Sequence, residues 1–227
     1  DLIKSYQIKS KNVIAHIRKA TFGQTSLANT HPFIRELWGE YWLFAHNGHL
    51  QSLDELFSDS QQQYYRPVGT TDSEQTFCYI LEKLRQKYDH KPSDEILFHE
   101  IKLLTEKIRM AGIFNFTLTN GDWMIAHANT LLHYIIREAP FGEAKLLDDD
   151  VSIDFSAVTT PEDRVAVIAT LPLTCNEQWT QLAQNELLMF KEGQIIIRDC
   201  PDDTQFLSIE DALAKARAIG ASANIIV

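Results

Sequence analysis

The sequence is poor in cysteine and in basic residues, and each shortage argues against a class of protein. Its 227 residues include three cysteines, Cys78, Cys175 and Cys200, which are too few and too scattered for a disulfide framework or a CxxC metal site. We therefore expect reduced thiols. Lys and Arg number 21 against 31 Asp and Glu, which gives a formal net charge of −10. Such an acidic chain is not expected to bind nucleic acid or an anionic membrane surface.

Long apolar runs are also missing from the sequence. No stretch approaches the roughly 18 consecutive apolar residues of a membrane span, and the opening segment 1–12 lacks the apolar core of a signal peptide. With 44% hydrophobic and 23% charged residues, the composition is ordinary for a globular protein. The sequence thus predicts a cytoplasmic protein with no membrane partner, folded as a single domain over residues 1–227.

Strand-like segments lie on both sides of a helical middle. Thr71 followed three positions later by Glu74 is a capping-box signature, and it opens the first predicted helix. The predicted helices cover 69–88, 94–110 and 208–220, and the predicted strands cover 13–21, 41–46, 132–139, 164–170, 186–193 and 194–199, with a hairpin over 113–128 whose tip is Asn120-Gly121. Because the helices do not alternate with strands, we expect an α+β fold with antiparallel pairing, the first two helices sharing one sheet face.

Asn47 and Gly48, in the segment AHNGHL at 45–50, allow two interpretations. Asn-Gly after an apolar run is the strongest short-range signal for a two-residue type I′ turn, in which both residues take positive φ. An Asn side-chain amide and a Gly backbone N–H that point at one oxygen would instead form an oxyanion hole. The two interpretations are compatible, because a tight turn at a strand end could present both donors to the same atom.

Two further patches contain groups that suit an amino-acid ligand. Arg18 and Thr21 stand at the end of a predicted strand, and a guanidinium is the natural bidentate receptor for a carboxylate. Taken alone, Arg18 is more typical of a surface residue on an edge strand. Asp72 could hold an ammonium group, or it could simply favour the dipole of the helix that it opens. Together with Asn47 and Gly48, these groups describe a site for an α-amino acid whose side-chain carbonyl is attacked.

Four motifs, in this order, resemble the signature series of class II glutamine amidotransferases, which are N-terminal nucleophile (Ntn) hydrolases. The likeness is greatest to their small stand-alone bacterial branch, the YafJ type. The motifs are HIRKATFG (16–23), NTHPF (29–33), HNG (46–48) and TDSE (71–74), and FGEAKLLDDDVSIDFS (141–156) and VIATLPLT (167–174) add to the likeness. The resemblance covers most of the chain and implies a four-layer αββα sandwich with two antiparallel sheets.

The resemblance also implies roles for five residues. Arg18 would bind the α-carboxylate of glutamine with help from Thr21, and Asp72 would bind its α-amino group. Asn47 and the Gly48 N–H would form the oxyanion hole. The implied reaction hydrolyses the glutamine side-chain amide to glutamate and ammonia, requires no metal or organic cofactor, and leaves room for a partner protein that accepts the ammonia.

The nucleophile of this family is a cysteine at the mature N-terminus, whose own α-amino group is the general base, whereas the sequence begins with Asp1. We expect that cysteine on a segment preceding Asp1, so that the present chain alone would be inactive. Cys78 lies on the apolar side of the first predicted helix, and Cys175 and Cys200 lie far from the motifs with no His beside them. Phe22 also departs from the family, because larger members carry a His there.

Two other functions remain compatible with these residues. An amidohydrolase acting on γ-glutamyl peptides or thioethers would use the same pocket, with Arg18 and Asp72 still holding the amino-acid end. A catalytically silent ligand-binding module would need the pocket without a nucleophile. Comparison of hydrolysis of glutamine with that of γ-glutamyl dipeptides separates the first of these from a glutaminase.

Overall fold

The computed structural model describes residues 9–17, 26–60, 63–156 and 159–220. Its helices are α1 (Leu53–Leu56), α2 (Asp72–Lys87), α3 (Asp94–Ile108) and α4 (Ile209–Ala218), with 3-10 turns at Leu27–Asn29 and Arg109–Ala111. Its strands are β1 (Phe33–Leu37), β2 (Glu40–Leu50), β3 (Gly112–Thr119), β4 (Trp123–Ala128), β5 (His133–Glu138), β6 (Glu143–Lys145), β7 (Ser152–Asp154), β8 (Arg164–Ala169), β9 (Thr180–Gln181), β10 (Glu186–Lys191) and β11 (Gln194–Asp199). The helices predicted over 69–88, 94–110 and 208–220 are therefore confirmed. No helix in the described ranges has the length and apolar character needed to cross a membrane.

The described strands form a large antiparallel sheet and two smaller ones. The large sheet has the order β1-β2-β3-β4-β10-β11, the second sheet has the order β8-β5-β9, and β6 pairs with β7. Each pairing is antiparallel. Strands β2, β3 and β4 are neighbours in the large sheet. The helices α2 and α3 lie between β2 and β3 in the chain, and these two strands pair with each other.

Two cores lie on opposite faces of the large sheet. On one face, α2 and α3 pack on the strands around Trp42, Phe77 and Ile101. On the other face, alternate residues of β4 and β10, such as Ala126 and Leu188, pack against the second sheet. The order of a helix layer, a sheet and a second sheet follows from the two-residue period of the strands. The predicted α+β fold with two antiparallel sheets is confirmed.

The N-terminus of α2 is capped by Thr71, as its sequence predicts. The Glu74 side chain, however, binds the preceding loop. Thr71 Oγ1 accepts the Glu74 backbone N–H at 3.2 Å. The Glu74 carboxylate accepts the backbone N–H groups of Val68 and Gly69 at 3.0 and 2.6 Å, and it also pairs with Arg35. These donors balance a carboxylate that is almost fully buried, and they fix the loop that leads into the helix.

Two hairpins illustrate how turns form in this fold. The hairpin predicted over 113–128 is confirmed, with Thr119 opposite Met124. Strands β10 and β11 are joined by Glu192 and Gly193, whose φ angles are 50° and 73°. Positive φ at both central residues is the type I′ geometry, so this turn type occurs after Lys191 and not at the Asn-Gly pair of β2.

The strand predicted over 13–21 is wrong for the part that the structure describes. Residues 13–17 alternate in exposure as a strand would, yet they pair with no strand in the described ranges. Val13 is 61% exposed and Ile17 is fully exposed. β-branched residues favour an extended backbone, but a β-strand also needs a neighbouring strand for its hydrogen bonds. The sequence pattern predicts the first of these and not the second. Residues 18–21 lie outside the described residues.

Candidate active site

Asn47 and Gly48 lie inside β2 and do not form the turn that their sequence predicts. Neither residue has a positive φ, and β2 continues to Leu50, with Asn47 opposite Asn115 and Gly48 opposite Phe114 of β3. Pairing with β3 has overridden the local preference for a turn. The interpretation of Asn-Gly as a type I′ turn is therefore corrected.

Glycine is required at position 48 by a close approach of the backbone. A Cβ at this position would fall well inside contact distance of the Ile113 carbonyl oxygen and 2.7 Å from His46 Nε2. Strand β1 pairs with β2 only as far as Phe44, so beyond that point β3 is the neighbour that the described residues provide. Asn47 and Gly48 are exposed as a result, where a ligand can reach them.

The Asn47 side chain is held by a residue that directly follows a strand of the second sheet. Its Nδ2 donates to Thr170 Oγ1 at 3.1 Å, and Thr170 directly follows β8. The Asn47 backbone carbonyl accepts from Asn115 Nδ2 at 2.9 Å. Asn47 is thus fixed at both its backbone and its side chain. The second N–H of its side-chain amide has no acceptor among the described residues.

Asp72 is the first residue of α2, and its carboxylate faces the end of β2. Oδ2 accepts the Leu50 backbone N–H at 2.8 Å and lies 3.5 Å from His49 Nδ1, while Oδ1 accepts the Ser73 N–H at 2.9 Å. Leu50 is three residues beyond Asn47, about 10 Å along the strand. The carboxylate remains 23% exposed, so it can stabilise the helix terminus and still contact a ligand.

His46 is a buried histidine that joins β2 to α2. Its Nε2 lies 2.9 Å from the Ile113 carbonyl oxygen and its Nδ1 lies 2.9 Å from Ser73 Oγ. Burial lowers the pKa of His46, so the ring is neutral at physiological pH, with Nε2–H donating to Ile113 and Ser73 O–H donating to Nδ1.

Arg18, Thr21 and Phe22 lie outside the described residues, so the predicted carboxylate site has no observed geometry. The chain just before Arg18 is described. The His16 ring stacks on the His31 ring with centroids 4.4 Å apart, and the His31 ring lies 4.5 Å from that of Phe33. Because Phe33 pairs with Phe44 of β2, this stack lies beside the strand that contains Asn47.

Residues 1–212 match the family model described as glutamine amidotransferases class-II. The chain belongs to this family. It is 50% identical to a candidate glutamine amidotransferase of Haemophilus influenzae over 86% of this chain and 65% of that protein, and 47% identical to the candidate glutamine amidotransferase YafJ of Escherichia coli over 86% and 76%. The chain therefore spans just under two thirds of the first relative and about three quarters of the second.

The fold of this class II family member agrees with a solved structure. The crystal structure of a predicted glutamine amidotransferase from Pseudomonas aeruginosa PA01 superposes with a TM-score of 0.70 and 43% identity, over 80% of this chain and 70% of that chain. The Ntn-hydrolase fold and the resemblance to the YafJ branch are both confirmed by these relatives.

Two residues near this site, Asn115 and Thr170, could not be identified from the sequence alone. Asn115 is buried and uses all four of its side-chain hydrogen bonds, to the Asn47 carbonyl, to Thr130 Oγ1, and from the N–H groups of Asn129 and Thr130. Its signal was visible as the one amide side chain in the strand segment IFNFTL. Thr170 contacts a residue 123 positions away, and its only signal was its place within the family-like segment VIATLPLT.

The three cysteines lie in different surroundings. Burial raises the pKa of the Cys78 thiol to about 11, which opposes the thiolate form needed for attack. Cys175 and Cys200 are exposed, and their sulfur atoms face Leu146 and Thr204. The described ranges also contain no cluster of three His, Cys, Asp or Glu side chains arranged to hold a metal ion.

Proposed function

We propose that the full-length protein is a glutamine amidotransferase with glutaminase activity, which converts glutamine to glutamate and ammonia. One observation carries this proposal. In a member of the class II family, the exposed pair Asn47 and Gly48 lies on the same strand end that the Asp72 carboxylate contacts through Leu50. The pair supplies donors for an oxyanion, and Asp72 supplies a negative charge for the α-ammonium group of the substrate.

Arg18 and Thr21 complete the site in this proposal, as the receptor of the α-carboxylate. An Arg fork suits a carboxylate because two parallel N–H donors match its two oxygens. The stack of His16 on His31 supports this role, since it brings the chain two residues before Arg18 to the side of β2. The amino-acid end of glutamine would then be held by two opposite charges, with its carboxamide towards Asn47.

The nucleophile in this proposal is an N-terminal cysteine of the full-length protein, as in the family. Its thiolate attacks the side-chain carbonyl carbon, and the Asn47 amide and the Gly48 N–H stabilise the tetrahedral oxyanion. Collapse of the intermediate breaks the C–N bond, and ammonia leaves with the proton that the cysteine α-amino group has accepted. Water then hydrolyses the γ-glutamyl thioester to glutamate and restores the thiol. A partner that accepts the ammonia belongs to the same proposal.

A glutaminase assay on the full-length gene product tests the proposal. We expect equal amounts of glutamate and ammonia from glutamine, and a mass increase of one γ-glutamyl group on the N-terminal cysteine when the reaction is quenched early. Asn47→Ala should lower kcat by about 10²- to 10³-fold, the usual cost of removing an oxyanion-hole donor. Gln178→Ala changes an exposed amide side chain and serves as the control.

Two outcomes would count against the proposal. Faster hydrolysis of γ-glutamyl dipeptides than of glutamine would make the protein an amidohydrolase for those compounds with the same pocket. Absence of turnover on both substrates, by a protein whose N-terminal cysteine is confirmed by intact mass, would make it a ligand-binding module instead.

A further inference from the structure

The contact between Asn47 and Thr170 joins two different sheets. Asn47 belongs to β2 of the large sheet, whereas Thr170 directly follows β8 of the second sheet, and Nδ2 lies 3.1 Å from Oγ1. The site is exposed at Asn47, so water could replace this contact. A side chain of this length has two rotatable bonds, and an exposed amide without a protein partner would occupy several orientations.

Thr170 is itself held in place by a half-buried histidine. Its backbone carbonyl accepts from His133 Nδ1 at 2.8 Å, and His133 stands opposite Ala169 in the pairing of β5 with β8. Burial lowers the pKa of His133, which keeps the ring neutral with its proton on the nitrogen that faces the carbonyl. The Thr170 hydroxyl is thus presented to Asn47 from a fixed backbone.

The backbone of Asn47 is fixed separately, by Asn115. Because all four hydrogen bonds of the buried Asn115 side chain are used, this residue cannot turn without breaking several bonds at once. Asn115 therefore fixes where Asn47 stands, and Thr170 fixes how its amide is turned. One N–H of the amide is occupied by Thr170, and the other has no acceptor in the part of the chain that the structure describes.

We propose that Thr170 is a positioning residue for catalysis: its hydroxyl orients the Asn47 amide so that the second N–H points at the developing oxyanion. This inference rests on the proposed glutaminase function. Oxyanion donors act by being in place before the charge develops, so the contact contributes more to the transition state than to the bound substrate. Loss of the hydroxyl should therefore lower kcat and leave KM almost unchanged.

Three variants of the full-length protein test the role of the hydroxyl. Thr170→Val removes it at nearly constant volume, Thr170→Ser keeps it, and Thr180→Val makes the same change at an exposed position of the second sheet. We expect kcat to fall about tenfold in Thr170→Val, less than the 10²- to 10³-fold cost of losing a donor outright, with KM within a factor of two. Thr170→Ser should recover most of kcat, and Thr180→Val should match the parent protein.

A double-mutant cycle distinguishes positioning from a purely structural link between the sheets. If Thr170 acts through Asn47, Thr170→Val should lower kcat further by less than a factor of two in a protein that already carries Asn47→Ala. An unchanged kcat in Thr170→Val, or an equal tenfold loss in the Asn47→Ala background, would overturn the inference. Absence of turnover in the parent protein would instead refute the proposed function.

Discussion

The Asp72 carboxylate accepts the Leu50 backbone N–H at 2.8 Å, which ties the first turn of α2 to the end of β2. The contact gives Asp72 a structural task, because the carboxylate lies where the helix dipole favours negative charge. The same contact places the negative charge of Asp72 beside β2, the strand that contains Asn47 and Gly48. Asp72 is therefore consistent with both interpretations of its position, as a helix-terminal residue and as a receptor for an ammonium group.

Asp72→Asn should raise KM for glutamine by about ten- to a hundredfold, since a hydrogen bond to a charged group contributes about 1.5–3 kcal/mol. We expect kcat to change less, because the ammonium group lies away from the bond that breaks. Asp94→Asn is the matched control, as Asp94 opens α3 in the same way but pairs with Lys191. Steady-state kinetics on the full-length proteins measure both. Equal KM values in the two variants would show that Asp72 does not bind substrate.

Gly48→Ala should destabilise the protein, because the new Cβ would collide with the Ile113 carbonyl of the neighbouring strand. Overpacking of this kind costs about 1–3 kcal/mol, and urea unfolding would measure it. Gly142→Ala is the control, since Gly142 has open space around its Cβ position and no positive φ. A Gly48→Ala protein as stable as the control would mean that β2 and β3 can separate locally at this point.

Arg18→Lys should raise KM for glutamine strongly, because a single ammonium cannot replace the planar fork that pairs with both carboxylate oxygens. The measurement is KM for glutamine in the full-length protein, with the exposed Arg217→Lys of α4 as control. An unchanged KM would show that the α-carboxylate is held by another residue.

His127 should make stability depend on pH in a defined range. Burial lowers the pKa of His127 from 6.5 to about 4, so the folded protein holds the neutral ring. Its contribution is complete above about pH 6.5 and is lost as the pH falls towards 4, because the unfolded chain binds a proton first. The difference amounts to about 3 kcal/mol of unfolding free energy across this range.

His127→Asn tests this dependence by urea unfolding at pH 7 and pH 4.5. Asparagine can still donate to the Phe114 carbonyl, which His127 Nδ1 faces at 2.6 Å, but it does not titrate. The loss of stability between the two pH values should be smaller in this variant than in the parent protein, and unchanged in the exposed His90→Asn. A parent-like loss in His127→Asn would assign the effect to other groups.

Much of the fold could be predicted from local pattern. The two long helices follow from the spacing of their apolar residues, and the start of α2 follows from Thr71 and Glu74. Asn47-Gly48 shows the limit of such reasoning, because a strong turn signal gave way to pairing with β3. Residues 13–17 show the opposite case, because their sequence predicts a strand and they pair with no strand in the described ranges.

The residues of the candidate site could be predicted only where they belong to a recognisable motif. Asn47, Gly48 and Asp72 were identified by their motifs, and the structure brings them to one strand end. Asn115 and Thr170 could not be inferred from local sequence, because their roles arise from contacts 68 and 123 positions apart in the chain. Such pairings depend on how the sheets stack, which no short window of sequence contains.

The neutral His46 ring has a consequence for how the proposed enzyme would respond to acidity. This ring joins the strand of Asn47 to the helix of Asp72 through Ile113 and Ser73, and burial keeps it uncharged at physiological pH. In the proposed enzyme, this link between the strand of Asn47 and the helix of Asp72 therefore gains no charge near neutrality. A change of rate with pH in that range would then report groups other than His46, such as the reacting thiol and amine.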